Sequence, residues 1–502
     1  YTGAEAGLVL VTADDPGLFS SQNEQDNRWY SRLAKIPTFE PCDSQEAKDF
    51  VKQAFELSEK FDIPCLLHSV MRVSHCKSVV ELGDRIENTK VVEKFPRNLP
   101  KYNCTAMYAR VMHANIEQKI KDIAKYVETS GINRVEMRSK EMGIICTGVM
   151  YAYIKDVFPN ASVLKLGMSY PLPQNMIKDF AAQVDKLYVI EELDPVIEEQ
   201  VKTMGVDCIG KALFPECYEL LPDRLVDICL EHDILQKDPR TCNTAPVEGL
   251  PGRNPVLCAG CPHRSTYYVL KKHDIACAGD IGCYNLGAQP PFEAQHTMGC
   301  MGASIGQLHG MSLAGLPENR VCTIGDGTFW HSGLPALANM VHNNGRGVVI
   351  LMDNANTAMT GHQDNPATDY RVLRNVSATE IDIAGVCRAM GVELVKTVNA
   401  FDVDEVEKGL KECMAFDKVS VLITKGECAQ FNKFVGVPYA VDEGKCIACQ
   451  TCLKCGCPAI MLSDDENPKT HKKKVRIDAT LCNGCGICSQ VCPVKAIAKK
   501  ED

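Results

Sequence analysis

Residues 320–356 read Arg320-Val-Cys-Thr-Ile-Gly325-Asp-Gly-Thr-Phe-Trp330-His-Ser-Gly-Leu-Pro335-Ala-Leu-Ala-Asn-Met340-Val-His-Asn-Asn-Gly345-Arg-Gly-Val-Val-Ile350-Leu-Met-Asp-Asn-Ala355-Asn356. Arg320–Ile324 reads as a short buried strand ending in Gly325-Asp326-Gly327. Apolar residues at 334, 337, 338 and 341 recur with helical period. Gly347–Met352 is a second buried strand, ending in Asp353-Asn354-Ala355-Asn356. This is a βαβ unit with polar residues where its strands end. In open parallel sheets, ligands bind outside those carboxyl ends.

The rest of the 502-residue chain is bounded by composition. At roughly 100–200 residues per domain it holds about three to five domains. Apolar residues make up 45% and charged residues 24%, the balance of an ordinary soluble globular protein. A net charge of −10 excludes a chain-wide basic surface for nucleic acid. No apolar run approaches the roughly 20 residues of a membrane span. The 27 cysteines stand out, and nine of them fall between Cys446 and Cys492. In a long chain such clusters read as metal binding or catalysis in a reducing, cytoplasmic compartment.

The spacing from Gly-Asp-Gly to Asn354 matches the thiamine-diphosphate signature. Mg²⁺ wants hard oxygen ligands and bridges to phosphates. Asp326 offers a carboxylate, Asn354 an amide oxygen and Asn356 a main-chain carbonyl. Gly325 and Gly327 let the backbone approach the diphosphate. An unrelated α/β turn is the bland alternative.

The tail carries Cys446-Ile-Ala-Cys449-Gln-Thr-Cys452-Leu-Lys-Cys455-Gly-Cys457-Pro458 and Cys482-Asn-Gly-Cys485-Gly-Ile-Cys488-Ser-Gln-Val-Cys492-Pro493. The second run is C-x2-C-x2-C-x3-C-P, the two-cluster ferredoxin spacing whose fourth Cys serves the other cluster. The first run is irregular. Cys457 precedes proline as Cys492 does, which favours it as the ligand, and Cys455 is the alternative. One [4Fe-4S] cluster is assigned to Cys446, Cys449, Cys452 and Cys492, the other to Cys482, Cys485, Cys488 and Cys457. A zinc ribbon is the competing reading. Between the runs, His471–Arg476 is a basic hairpin suited to an acidic electron carrier, or simply a solvated loop.

Further stretches carry a family likeness: Asp14-Asp-Pro-Gly-Leu-Phe-Ser-Ser-Gln-Asn-Glu-Gln-Asp26, Cys258-Ala-Gly-Cys-Pro-His-Arg264, Asp280-Ile-Gly-Cys-Tyr284, Met301-Gly-Ala-Ser-Ile-Gly306 and Thr357-Ala-Met-Thr-Gly-His-Gln363. With the tail, they resemble the alpha subunits of indolepyruvate:ferredoxin oxidoreductases, a branch of the 2-oxoacid:ferredoxin oxidoreductases. The resemblance implies a multidomain thiamine-diphosphate-binding fold. Residues 1–90 would be the rear of a pyrimidine-type domain and 100–245 a transketolase C-terminal-like domain, opened by Gly143–Val149. Residues 250–435 would bind the diphosphate, and 437–502 form an α+β ferredoxin-like domain. Leu235–Arg253, rich in Pro, Asp and Asn, reads as a linker.

The resemblance implies oxidative decarboxylation of arylpyruvates to aryl-acetyl-CoA, with coenzyme A as cosubstrate and electrons passed to ferredoxin. It also implies a smaller beta subunit in a hetero-oligomer. The Glu that contacts the aminopyrimidine would precede Tyr1. Two alternatives stand: the same chemistry on pyruvate or branched 2-oxoacids, and a non-catalytic electron-transfer subunit. In pyruvate-type relatives a further cluster sits beside thiamine, and Cys258, Cys261, Cys283 and Cys428 occupy the corresponding positions. Cys277 is a substitute ligand, and an unligated or zinc-bound CxxC is the bland reading. The loop holding Ser20, Ser21, Gln22 and Asn23 would face the active site. His362 and Gln363 would reach substrate or diphosphate, with His263 and His296 as further candidates. Gly302 and Ser304 would pack close to the cofactor. Cys65, Cys146 and Cys322 sit in apolar runs and read as core residues.

Overall fold

The computed structural model describes residues 1–19, 21–85, 87, 97–241, 249–250, 252, 254–316, 321–371, 376–431 and 436–500. Ser20 lies outside them. The chain forms two compact units, Tyr1–Val247 and Glu248–Asp502, with the boundary inside the expected linker.

The first unit holds two four-stranded sheets. In one, Val9–Asp14 and Cys65–Val70 pair in parallel, with Thr38–Phe39 beyond them and Met168–Tyr170 closing the far edge antiparallel. Helix Ser44–Phe61 is capped by Asp43, which accepts from Glu46 N–H at 2.8 Å, while the Glu46 side chain reaches back to accept from Cys42 N–H at 2.9 Å. It buries Phe50, Ala54 and Leu57 against Phe39, Cys65 and Leu67. The other sheet runs Arg134–Glu136, Ser162–Leu166, Met142–Thr147 and Lys186–Val189. The strand and turn read at Gly143–Val149 are there, as Met142–Thr147 and a left-handed Gly148. Spans 1–90 and 100–245 interlock, because Met168–Tyr170 follows Ser162–Leu166 almost without a break and joins the other sheet.

The second unit is built on a six-stranded parallel sheet. Its order is Gln295–Thr297, Cys277–Ala278, Val321–Gly325, Gly347–Asp353, Val419–Lys425 and Leu394–Asn399. The βαβ unit read from residues 320–356 lies at its centre, with Val321 opposite Val348 and Gly325 opposite Met352. Both strands are fully buried, which is why they read as continuous apolar runs. The intervening helix Leu334–His342 is preceded by a π-turn at Phe329–Gly333. From Cys277–Ala278 the chain leaves to one side, and from Val321–Gly325 to the other. The switch point therefore falls between these two neighbours, where Asp280–Tyr284 and Gly325–Gly327 emerge at one edge.

The tail is small and antiparallel. Ile460–Glu466 pairs with Lys473–Ile477, and Tyr439–Val441 with Ile497–Lys499. The basic hairpin read at 471–476 is the first of these. Among the described residues no helix is long and apolar enough to cross a membrane.

Candidate functional site

A pocket opens at the switch point. Ile281, Gly282, Cys283 and Tyr284 wall one side, and Gly325–Thr328, Asn354 and Asn356 another. The glycines are required by contact: a Cβ at Gly325 would sit 2.6 Å from the Tyr284 ring, and one at Gly327 would sit 2.2 Å from Thr357 Oγ1.

Asp326, Asn354 and Asn356 converge there. One terminal atom of the Asn354 amide lies 3.0 Å from Asp326 Oδ1 and 2.7 Å from the Asn356 carbonyl oxygen. That atom is the amide nitrogen, which donates N–H to both. A carboxylate, an amide and a main-chain carbonyl thus meet at one point of the pocket wall, oxygen-bearing groups of the kind that Mg²⁺ takes. The Asp326 carboxyl agrees. Burial, and then repulsion from Asp353, push its pKa up to about 7, the mark of a buried anion short of a counter-charge. Asn365 Nδ2 donates to its other oxygen at 3.0 Å. Asn356 Nδ2 is buried without a partner.

The other expected residues are placed differently. Gly302 and Ser304 N–H groups donate to the buried Asp280 carboxylate at 2.8 and 3.0 Å, so that helix start is capped from within and only Met301 reaches the pocket wall. His362 sits at φ +62°, stacks on Phe431 with ring centroids 5.5 Å apart, and places Nδ1 3.4 Å from Asn356 Oδ1. Gln363 closes its loop on Thr357 and Thr360. Both stand behind the wall. The wall itself adds His263, Tyr284, Thr357, Met359 and Thr360. Burial, and then the Arg264 charge, hold His263 neutral with a pKa near 4. His296 receives the Cys277 N–H at 3.2 Å and is bound into the sheet edge.

Ser21 and Asn23 belong to the first unit and bond within their own loop, Ser21 N–H to Asp15 and Ser21 Oγ to the Asn23 carbonyl. That unit buries a charged cluster the sequence reading missed. Arg28 pairs with Asp26 and Glu191, and His68 Nε2 lies 2.7 Å from Asp14. Burial alone would lower the His68 pKa, but bonds to Asp14 and Glu40 outweigh it and raise it to about 9. Its folded pKa exceeds the unfolded 6.5, so the contribution is complete below 6.5 and lost as pH rises through about 9. In His68→Gln, Tm should fall by several degrees at pH 6, and the wild-type decline toward pH 9.5 should vanish; scanning calorimetry against pH checks both.

The cysteines gather as three sets. The Cys283 thiol is raised by burial and then by neighbouring Cys428 and Cys258, and Cys261 in turn feels Cys258 and Cys283. Cys283 also lines the pocket, and Cys428 N–H donates to the Asn354 carbonyl at 3.3 Å. Cys277 is no substitute ligand: it lies in the sheet core, its thiol turned to the Ala278 carbonyl and Thr323. Cys65, Cys146 and Cys322 are core residues.

In the tail, Cys452 neighbours Cys449, Cys492 and Cys446. Cys488 neighbours Cys485, Cys455, Cys457 and Cys482. Five cysteines, 455, 457, 482, 485 and 488, line one cavity. Main-chain N–H groups point at sulfur, Tyr439 at Cys482 (3.4 Å) and Ala496 at Cys492 (3.2 Å), bonds of the kind that tune iron–sulfur clusters. The two motifs share a backbone: Ala448 and Gln450 are left-handed, as are Gly484 and Gly486 at the same offsets. Among the described residues no three Cys, His, Asp or Glu close on a single metal ion.

Comparison with known proteins agrees with this anatomy. Residues 280–424 match the thiamine pyrophosphate enzyme C-terminal TPP-binding domain, and 475–498 the 4Fe-4S binding domain. Indolepyruvate oxidoreductase subunit IorA of Methanothermobacter thermautotrophicus is 38% identical over 99% of this chain and 82% of its own length. The Archaeoglobus fulgidus IorA has the same identity and coverage. A 2-oxoglutarate:ferredoxin oxidoreductase structure from Magnetococcus marinus is 18% identical over 38% of this chain and 71% of its own, with a TM-score of 0.32. With thiamine-type and 4Fe-4S domains in one chain, and near-complete coverage at 38% identity, the protein belongs to the family of indolepyruvate oxidoreductase subunit IorA.

Proposed function

We propose that this chain is the cofactor-bearing subunit of an oxidoreductase that decarboxylates arylpyruvates such as indolepyruvate. The products would be aryl-acetyl-CoA and electrons delivered singly to ferredoxin. The observation that carries the reading is Cys283, which belongs both to the wall of the Asp326 pocket and to a four-cysteine set. Thiamine diphosphate, when bound, supplies the nucleophilic carbon and the electron sink. Asp326, Asn354 and the Asn356 carbonyl hold Mg²⁺. Gly325 and Gly327 admit the diphosphate. His263, kept neutral, offers the pocket an imidazole that can accept or donate a hydrogen bond without adding charge. His362 buttresses Asn356.

The Cys258, Cys261, Cys283 and Cys428 set takes a [4Fe-4S] cluster, giving three with the two of the tail, where Cys457 is the fourth ligand beside Cys482, Cys485 and Cys488. The CxxC loop abuts the tail, since a Cβ at Gly260 would lie 3.0 Å from Asn483. That packing supports an electron path from pocket to tail. A smaller beta subunit completes a cytoplasmic hetero-oligomer.

The test is anaerobic viologen reduction by the native complex with indolepyruvate, phenylpyruvate, pyruvate or 2-oxoglutarate, each with and without coenzyme A. Faster CoA-dependent turnover of the aryl substrates is expected. A preference for pyruvate would keep the site assignments and discard the substrate. A complex without thiamine diphosphate would be an electron-transfer subunit alone.

A further inference from the structure

Helix His263–Lys272 begins directly after the CxxC. Its first residue lines the Asp326 pocket. Its second, Arg264, lines the five-cysteine cavity of the tail. Arg264 is 1% exposed. Its hydrogen bonds all go to main-chain carbonyls: Cys455 at 2.8 Å from Nη1, Cys258 at 2.7 Å from Nη2 and 3.2 Å from Nε, and Leu257 from Nη2. No carboxylate pairs with it among the described residues. A guanidinium keeps its charge in any protein environment. Burying an unpaired cation costs several kcal/mol, so buried charges are matched by an opposite charge. On the cavity side Arg264 faces the sulfur-bearing residues Cys455, Cys457, Cys482, Cys485 and Cys488, which line the same cavity.

We propose that Arg264 is the resident counter-charge of the iron–sulfur cluster held by Cys457, Cys482, Cys485 and Cys488, and that it raises that cluster's reduction potential. The inference rests on the cluster assignment above. A four-thiolate cluster is net negative in both redox states. Reduction adds one electron and no proton, so the negative charge grows by one beside a cation that cannot discharge. Burial and charge nearby are established levers on cluster potential. Arg264 is thus a positioning residue for electrons. It also joins the CxxC loop to the tail through their carbonyls, and the experiment must separate the two roles.

The native complex would be compared with Arg264→Met and Arg264→Lys by iron analysis and EPR-monitored redox titration. In Arg264→Met one cluster should titrate lower by at least tenfold in its reduction equilibrium, about 59 mV for one electron. Arg264→Lys, which keeps the charge, should recover most of the shift. If Arg264→Met loses iron while Arg264→Lys keeps it, the charge is again the cause. Full iron and an unshifted potential in Arg264→Met overturns the proposal. So does equal loss of iron or potential in both variants, because the clamp alone would then matter. Wild-type complex without [4Fe-4S] signals would instead overturn the cluster assignment.

Discussion

Asp326→Asn will strip the chain of thiamine diphosphate while leaving the fold intact. The substitution keeps the shape of the side chain and removes the carboxylate that meets the Asn354 amide and the Asn356 carbonyl. Losing groups that merely support a metal ligand costs about 10–100-fold in affinity, and losing the charged ligand itself should exceed that. Cofactor content after gel filtration should fall to background, and oxoacid-dependent dye reduction with it. The cofactor-free chain should hold or gain thermal stability, because a buried carboxylate facing Asp353 without a cation is a liability. Tight cofactor retention in Asp326→Asn would remove the metal assignment. A fall in stability together with cofactor would mean that Asp326 supports the fold instead.

The second large effect is expected at Cys283. Cys283→Ser should remove one cluster's worth of iron and reduce dye turnover to near background, with thiamine diphosphate still bound. Cofactor retention distinguishes it from Asp326→Asn, and iron content distinguishes three clusters from two. Undiminished iron with full turnover would leave the tail clusters as the only ones and return Cys258 and Cys261 to an unligated CxxC. The set's place supports the expectation, since Cys428 N–H bonds the carbonyl of Asn354 and Cys283 faces the same pocket.

Sequence made the central βαβ unit and the tail readable because chemistry restricts residue types there. In the proposed assignment Mg²⁺ selects oxygen donors, and iron–sulfur clusters select cysteines at fixed spacing. Strands buried on both faces announce themselves as apolar runs. What escaped was set by the order of strands. Tyr284 reaches the pocket because Cys277–Ala278 lies beside Val321–Gly325, a neighbourhood no local pattern records. Cys277 resembled a ligand because a two-residue strand is too short to show a period. His362 looked aimed at the cofactor until its left-handed turn sent the ring onto Phe431. Ala448 and Gln450 repeat the backbone of Gly484 and Gly486 without glycine's sequence signal. The buried pairs Asp14–His68 and Arg28–Glu191 were assembled from segments 54 and 163 residues apart in the chain.

The strand Met168–Tyr170 bears on modularity. It caps the sheet edge at Thr38–Phe39, and helix Ala106–Val127 lays Ile123 and Val127 over the core that holds Phe39 and Phe50. Cutting the chain near residue 95 would strip both from the leading piece, leaving an open β-edge beside uncovered aromatic side chains, the combination that drives strand-to-strand aggregation. A separable piece has to keep residues 1–247 together, so a recombination or shuffling event that exchanged the leading part of this chain would have to carry both sheets at once.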